Sequence, residues 1–244
     1  MQRFFTIIGP AAWLALTFMI PSPLAAAPTT ATNLAQATKT VPDRLNEYGA
    51  AARARLKPCF DRAGVSYPPT ELGFVGLKRE KLLEIYARSG TNGIRLILSY
   101  PMLAASGVAG PKLREGDRQV PEGIYRIEAL NPNSSFHLSL RINYPNAFDR
   151  AQAAKEQRTQ LGGDIMIHGD ARSVGCLAMG DEASEDLFVL AADTGIENIT
   201  VVLSPVDFRE GKSVPSNAIL PQWCEALYEK IRAGLKQFPK EQKP

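Results

Sequence analysis

Two chemically useful residue types that are scarce in this chain lie close together in its second half. Only two histidines and three cysteines occur among 244 residues, yet His168 and Cys176 lie within one short segment. A thiol with an ordinary pKa of about 8.5 is a weak nucleophile at neutral pH unless a base or a cation beside it favours the thiolate. The pair therefore indicates acyl transfer through a thioester, with Cys176 as the nucleophile and His168 as its base.

The segment that joins these two residues has the features of a catalytic loop. The apolar run 165–167 predicts a buried strand that leads directly to His168, and catalytic groups often follow the end of a strand. Gly175 allows the backbone to approach a substrate closely. The amides of Gly175 and Cys176 are therefore expected to face a developing oxyanion.

Two other interpretations of the same residues stay open. An isolated cysteine is often a small buried hydrophobe, and a histidine beside a glycine can end a strand without any chemical role. His168, Asp170 and Cys176 would offer three ligands to a metal. The other histidine of the chain is His137, which we expect to be structural. We predict no metal and no cofactor.

The residues around His168 and Cys176 resemble the catalytic signature of a known enzyme family. His168-Gly169 and the run Ser173-Val174-Gly175-Cys176-Leu177 resemble the His-Gly pair and the Ser/Thr-His-Gly-Cys motif of the L,D-transpeptidase (YkuD-type) catalytic domain. The usual second histidine is Val174 here, and the gap between the two halves is shorter than in the common form. Both departures resemble the YafK-type murein L,D-transpeptidase branch of that family.

Two further segments carry the same resemblance. One consists of Gly110-Pro111-Lys112, Glu115-Gly116-Asp117 and Pro121-Glu122-Gly123-Ile124-Tyr125, and the other of Tyr144-Pro145-Asn146 with Asp149-Arg150. Together the three segments place the resemblance over residues 72–208. It implies that five residues bind substrate: Lys112, Tyr144, Arg150, Gly169 and Arg172. For Asp149 and Arg150 a scaffold role is the alternative.

The resemblance implies a cysteine-dependent acyl-transfer enzyme that acts on peptidoglycan stem peptides, in cell wall cross-linking or remodelling. Ser173 and Gly175 would shape the loop. The group that orients His168 would be a backbone carbonyl or the side chain of Asp170, which could instead form an Asx-type turn. Two alternatives stay open: an L,D-endopeptidase or amidase that hydrolyses the bond between peptidoglycan and an anchored lipoprotein, and a non-catalytic peptidoglycan-binding module.

The N-terminal segment predicts export to the periplasm. Arg3, the apolar run 4–20 and the small residues at 25–27 are typical of a cleaved signal peptide over residues 1–27, and residues 28–42 have the composition of a linker. Because the periplasm is oxidising, we predict a disulfide between Cys59 and Cys224 that leaves Cys176 free. The alternative is that all three thiols are reduced.

The rest of the chain predicts one mainly β domain with helices at its two ends. Apolar spacing indicates an N-terminal helical segment over 43–68 with a stop at Gly64, a catalytic domain over 69–210, and a helix opened by Pro221 in the C-terminal segment 211–244 that packs on the domain. Within the domain we expect a helix with Asp181 as its N-cap, a long loop at 103–121, a polar segment at 149–162, and strands at 73–78, 81–88, 95–100, 124–130, 136–142, 165–167 and 199–203. The family resemblance implies an L,D-transpeptidase-like β-sandwich or barrel core. The net charge of +3 is too small to indicate a nucleic-acid partner.

Overall fold

The computed structural model of the protein describes residues 38–216 and 218–240. The predicted signal peptide and most of the predicted linker lie outside the described residues, and both stay predictions. Among the helices within these two ranges, none is long and apolar enough to cross a membrane.

Four α-helices and nine strands follow one another within the described residues. The helices are α1 (Val41–Ala63), α2 (Ala147–Lys155), α3 (Asp181–Thr194) and α4 (Cys224–Leu235). The strands are β1 (Glu71–Leu77), β2 (Leu82–Arg88), β3 (Arg95–Pro101), β4 (Ala104–Ala105), β5 (Gly123–Ser134), β6 (His137–Ile142), β7 (Met166–His168), β8 (Leu177–Ala178) and β9 (Ile199–Ser204).

The strands form one mixed sheet in the order β3-β2-β1-β9-β5-β6-β7-β8-β4. The long strand β5 joins its two halves, because its first residues pair with β9 and its later residues pair with β6. The register of the β5–β6 pair shifts between Ile127 and Ala129. Such an irregularity bends the strand, so the two halves of the sheet can pack face to face around one core. The mainly β fold with flanking helices that the sequence predicted is confirmed.

Apolar side chains from both halves of the sheet meet in one core, which α1 and α3 complete. Its fully buried members include Phe74 and Leu203 from one half, Leu140 and Ile167 from the other, and Phe188 of α3. Because side chains alternate along a strand, β1, β2 and β9 present a second apolar face, and α4 packs against it. The candidate site is built on the half that contains β6, β7 and β8.

The predicted disulfide between Cys59 and Cys224 is wrong. All three cysteines, each within the described residues, are free thiols. Cys59 on α1 packs against the first core, whereas Cys224 on α4 belongs to the cluster on the opposite face of the sheet. A disulfide requires Cα atoms within about 7 Å of each other, and the sheet separates these two residues.

The first helix begins two residues before the predicted segment 43–68, and it ends at the stop predicted within that segment. Thr40 and Asp43 form a capping box in front of α1, so the helix starts inside the predicted linker. Gly64 ends it in the left-handed conformation (φ 66°), as the position of that glycine predicted.

Two other helices also differ from the predicted pattern. Just before the polar segment 149–162, where no helix was predicted, Asn146 and Asp149 form a capping box that starts α2, and the helix continues into the segment. Its nine residues carry too few apolar positions to show a helical period, and the Asn-x-x-Asp spacing was the available signal. This capping gives Asp149 a scaffold role. The C-terminal helix begins only at Cys224 rather than at Pro221.

A buried ion pair ties the long loop 103–121 to the sheet. Lys78 Nζ lies 2.9 Å from Glu122 Oε1 and donates to the carbonyl oxygens of Gly110 and Val120 at 3.0 and 2.9 Å. The Tyr228 hydroxyl of α4 donates to the other carboxylate oxygen of Glu122 at 3.0 Å. These bonds hold the loop at Gly110 and again at Val120, near its end, while its first residues form β4 and run along β8.

Candidate active site

Two short parallel strands position His168 and Cys176. Ile167 of β7 lies opposite Leu177 of β8, and His168 lies opposite Ala178. Ile167 and Leu177 are fully buried and point into the core. Since side chains alternate along a strand, His168 and Cys176, which immediately precedes β8, project from the other face. The pairing of these strands therefore places His168 and Cys176 on one face of the sheet, on neighbouring segments of the chain.

The imidazole of His168 is buried and held in one orientation. The side chain is 2% exposed, its Nδ1 lies 2.6 Å from the carbonyl oxygen of Gly169, and its ring stacks on Phe136 with centroids 4.8 Å apart. A carbonyl oxygen only accepts, so Nδ1 carries the proton and the lone pair of the neutral ring is on Nε2. The orienting group is a backbone carbonyl, which is one of the two options that the sequence left open.

The thiol of Cys176 is half-buried and contacts the backbone that leads into β7. Sγ accepts from the Met166 amide at 3.4 Å and lies 3.7 Å from the Asp164 carbonyl oxygen. Burial raises the pKa of the thiol above its ordinary value, although the Met166 amide and the charge of Lys112 act in the opposite direction. Burial lowers the pKa of His168 below 6.5, against the Gly169 hydrogen bond and the charge of Asp170.

These two pKa shifts define the resting state of the site. At neutral pH the imidazole is neutral and the thiol keeps its proton, because each group is shifted away from its charged form. A preformed pair of thiolate and imidazolium is therefore not the resting state that these shifts favour.

We expect Cys176 to react slowly with iodoacetamide at pH 7 in the absence of substrate. Because its pKa is raised, the rate should still be rising with pH where a free thiol of pKa about 8.5 levels off. The measurement is the rate of alkylation at Cys176 against pH, followed by peptide mass mapping, with glutathione as the reference thiol. A rate that levels off below pH 7 would contradict this resting state.

Two serine hydroxyls hold the backbone on either side of Cys176. Ser173 Oγ donates to the carbonyl oxygen of Cys176 at 2.5 Å, and Ser106 Oγ accepts from the Gly175 amide at 2.6 Å. The prediction that the Gly175 amide faces an oxyanion is therefore wrong, because that amide already has a partner. Of the two predicted donors, the Cys176 amide is the one that remains. No motif marked Ser106, and only the length of the loop 103–121 pointed towards its region.

The carboxylate of Asp170 shapes the loop and does not orient the imidazole. It accepts from the Ala171 amide at 2.5 Å and from Arg172 Nη2 at 2.9 Å, which matches the turn-forming alternative considered from the sequence. The Asp170 amide in turn donates to Asp181 Oδ1 at 2.8 Å. The N-cap of α3 is Gly180, so the predicted N-cap role of Asp181 is wrong and its carboxylate supports the loop instead.

The residues implied to bind substrate fall into a buried group and an exposed group. Lys112 is 7% exposed and its Nζ lies 2.7 Å from Asp117 Oδ1, while the buried Tyr144 hydroxyl lies 3.2 Å from the Lys112 carbonyl oxygen. A Cβ on Gly169 would lie 2.5 Å from Asp181 Oδ1 and 2.8 Å from the Phe136 carbonyl oxygen. These three residues have contacts within the protein that explain their identity without a ligand.

Arg150 and Arg172 form the exposed group. Arg150 donates to the carbonyl of Pro145 at the start of α2, away from the Cys176 loop in the chain. Arg172 lies on the loop itself with a side chain that is 80% exposed, so its guanidinium is accessible to a ligand. Close to it, Val174 occupies the position of the usual second histidine and is 73% exposed.

The metal site considered from the sequence is not formed. Across residues 38–216 and 218–240, no group of three His, Cys, Asp or Glu side chains is arranged to hold a metal ion. The carboxylate of Asp170 forms an ion pair with Arg172, and the Nδ1 atom of His168 forms a hydrogen bond to a carbonyl oxygen. Both groups therefore have partners within the protein.

A cysteine thiol and a neutral imidazole on one face of a β-sheet are typical of a cysteine-dependent catalytic domain. Comparison with known proteins gives the family. The model of the YkuD family, the L,D-transpeptidase catalytic domain, matches residues 73–203. The chain therefore belongs to this family of enzymes that act on peptidoglycan, and the resemblance noted in the sequence is confirmed.

Among individual proteins, the chain is 30% identical over 175 residues to YafK of Escherichia coli strain K12, which is provisionally assigned as an L,D-transpeptidase. The match covers 68% of this chain and 66% of YafK, so the chain spans just under two thirds of the length of that relative.

The solved structures that it resembles include two bacterial proteins. The helical cell shape determining protein Pgp2 of Campylobacter jejuni has a TM-score of 0.47 and 20% identity, over 67% of this chain and 56% of Pgp2. Bd1075 of Bdellovibrio bacteriovorus has a TM-score of 0.41 and 20% identity, over 70% of this chain and 56% of Bd1075.

Proposed function

We propose that this chain is a cysteine-dependent acyl-transfer enzyme that acts on peptidoglycan stem peptides, an L,D-transpeptidase exported to the periplasm. The observation that carries the proposal is the state of His168: its Nδ1 donates to the Gly169 carbonyl, which leaves Nε2 as a base on the same face as the Cys176 thiol. Membership of the L,D-transpeptidase family supports the choice of peptidoglycan as substrate.

The proposal gives each proton of the first half-reaction a donor and an acceptor. Cys176 Sγ attacks a carbonyl carbon of the stem peptide while its proton passes to His168 Nε2. The Gly169 carbonyl stabilises the imidazolium that forms, and the Cys176 amide donates to the oxyanion. When the tetrahedral intermediate collapses, the carbon–nitrogen bond breaks, and His168 returns the proton to the departing amine. The product is a thioester on Cys176 and a free amine.

The second half-reaction decides between a transferase and a hydrolase. An amine that attacks the thioester gives a new amide and hence a cross-link, whereas water gives a free carboxylate. In both cases His168 removes a proton from the attacking group and the thiol of Cys176 is restored. Release of an anchored lipoprotein would be the hydrolytic outcome at the same site. The Arg172 guanidinium, exposed on the catalytic loop, is our proposed contact for a substrate carboxylate.

The test is intact-mass analysis of the mature protein after incubation with purified peptidoglycan fragments and, separately, with a carbapenem. We expect a covalent adduct on the wild type and on the matched control Cys59→Ala, and none on Cys176→Ala. The released fragments distinguish transfer, which gives a new amide, from hydrolysis, which gives a free carboxylate. Wild-type protein that forms neither adduct nor product would contradict the proposal and favour a wall-binding role.

A further inference from the structure

The loop residue Ser106 lies beside the proposed nucleophile because of strand pairing. Ala104 and Ala105 of β4 pair in antiparallel register with Ala178 and Leu177 of β8. The next position along β4 is Ser106, and the next position back along β8 is Cys176. The edge strand therefore carries a hydroxyl group to the backbone of the catalytic loop from a distant part of the sequence.

Ser173 Oγ lies 3.3 Å from Ser106 Oγ and 2.5 Å from the Cys176 carbonyl oxygen, and we assign its single hydrogen to the shorter contact. Ser106 Oγ donates to the Arg118 carbonyl at 2.8 Å and uses its lone pair to accept from the Gly175 amide at 2.6 Å. Ser173 Oγ accepts from the Ser106 amide at 3.2 Å and donates to the Cys176 carbonyl at 2.5 Å. Each hydroxyl has one hydrogen and donates it to a backbone carbonyl, so both serine side chains hold the backbone in place.

These bonds hold the peptide groups on both sides of one amide. The Gly175 nitrogen belongs to the peptide group that precedes the Gly175–Cys176 bond, and the Cys176 carbonyl belongs to the peptide group that follows it. The N–H of Cys176 lies between them, so its direction depends on both. Gly175 has a φ of 101°, which glycine adopts readily but can also leave readily, so the hydrogen bonds on either side restrict its conformation.

We propose that Ser106 is a positioning residue that aims the Cys176 amide at the oxyanion of the acyl-transfer reaction. This inference rests on the proposed function, in which Cys176 is the nucleophile that forms the thioester. Removal of the hydroxyl leaves the buried Gly175 amide without its acceptor. The peptide group that joins Val174 to Gly175 is then free to rotate. The thiol itself is untouched, because its contacts are with Asp164 and Met166.

Two reactions of the same thiol separate this role from a merely structural one. p-Nitrophenyl acetate acetylates Cys176 through a tetrahedral oxyanion: the sulfur–carbonyl bond forms, the ester bond breaks, p-nitrophenolate leaves, and the thiol proton passes to His168. Iodoacetamide alkylates the same sulfur at a saturated carbon with loss of iodide, and no oxyanion forms. At one pH the thiolate fraction affects both rates equally, so their ratio reports on oxyanion stabilisation.

We expect Ser106→Ala to lower the acetylation rate at Cys176 by about 10- to 100-fold, below the 10²- to 10³-fold typical of a deleted donor, because the amide is misaligned and not removed. The alkylation rate should stay close to that of the wild type. Ser106→Thr keeps the hydroxyl and should recover most of the acetylation. Ser89→Ala is the matched control, since that hydroxyl donates to the Ser66 carbonyl in an exposed loop, and it should change neither rate.

An unchanged acetylation rate in Ser106→Ala, or an equal fall in both rates, would overturn the inference. A wild type that is alkylated but never acetylated would overturn it as well. The proposed function is tested separately: if the wild type is acetylated but leaves peptidoglycan fragments unchanged, the substrate assignment fails while the result for Ser106 stands.

Discussion

Substitution of His168 by Asn is expected to slow acyl transfer to peptidoglycan fragments by about 10²- to 10⁴-fold, the usual contribution of a general acid–base residue. The Asn side chain places an amide N–H near the position of Nδ1, so donation to the Gly169 carbonyl is retained. Nothing replaces Nε2, however, and the thiol proton has no acceptor. Turnover under saturating substrate measures the effect, because the loss should appear in kcat rather than in KM.

His137→Asn is the matched control, since the chain has only two histidines. Nε2 of His137 lies 3.0 Å from Glu185 Oε1 and its ring stacks edge-on against Tyr48, so its contacts hold α1 and α3 together. We expect this variant to lose some stability and to keep its turnover number. Wild-type turnover in His168→Asn would show that another group takes the thiol proton.

Substitution of Lys78 by Met is expected to lower the free energy of unfolding by about 3–5 kcal/mol, the usual result of removing one partner of a buried ion pair. The Glu122 carboxylate would lose the charge that compensates its burial, and the carbonyl groups of Gly110 and Val120 would lose their donor. The measurement is urea unfolding of the two proteins at pH 7. Because the same bonds hold the loop that carries Ser106, acyl transfer should decline as well.

Lys57→Met is the control for this stability change. Lys57 pairs with Asp61 on α1, and both side chains are more than half exposed, at 66% and 61%. Exposed pairs at this helical spacing contribute about 0.3–0.5 kcal/mol. Equal unfolding free energies for Lys78→Met and the wild type would show that the buried pair adds nothing to the fold.

The sequence alone was sufficient for the family. His168 and Cys176 lie on one strand-loop-strand unit, so a short pattern in the chain corresponds directly to a short unit in space. Apolar runs bounded by turn residues also predicted most strands correctly, because a short strand is marked by its own residue types and by the turns that flank it. The helix stop at Gly64 likewise depends only on local backbone conformation.

Only the tertiary structure decided how the atoms of the site are used. The acceptor of the Gly175 amide is Ser106, which lies 69 residues away in the sequence, and no local pattern connects the two. The separation of Cys59 from Cys224 depends on which face of the sheet each helix covers. The lowered pKa of His168 and the raised pKa of Cys176 follow from burial, and burial is a property of the packed chain. Residue types and spacing therefore identified the family and the candidate residues, whereas hydrogen-bond partners and desolvation, which arise only when distant segments pack together, determined the geometry of the candidate site.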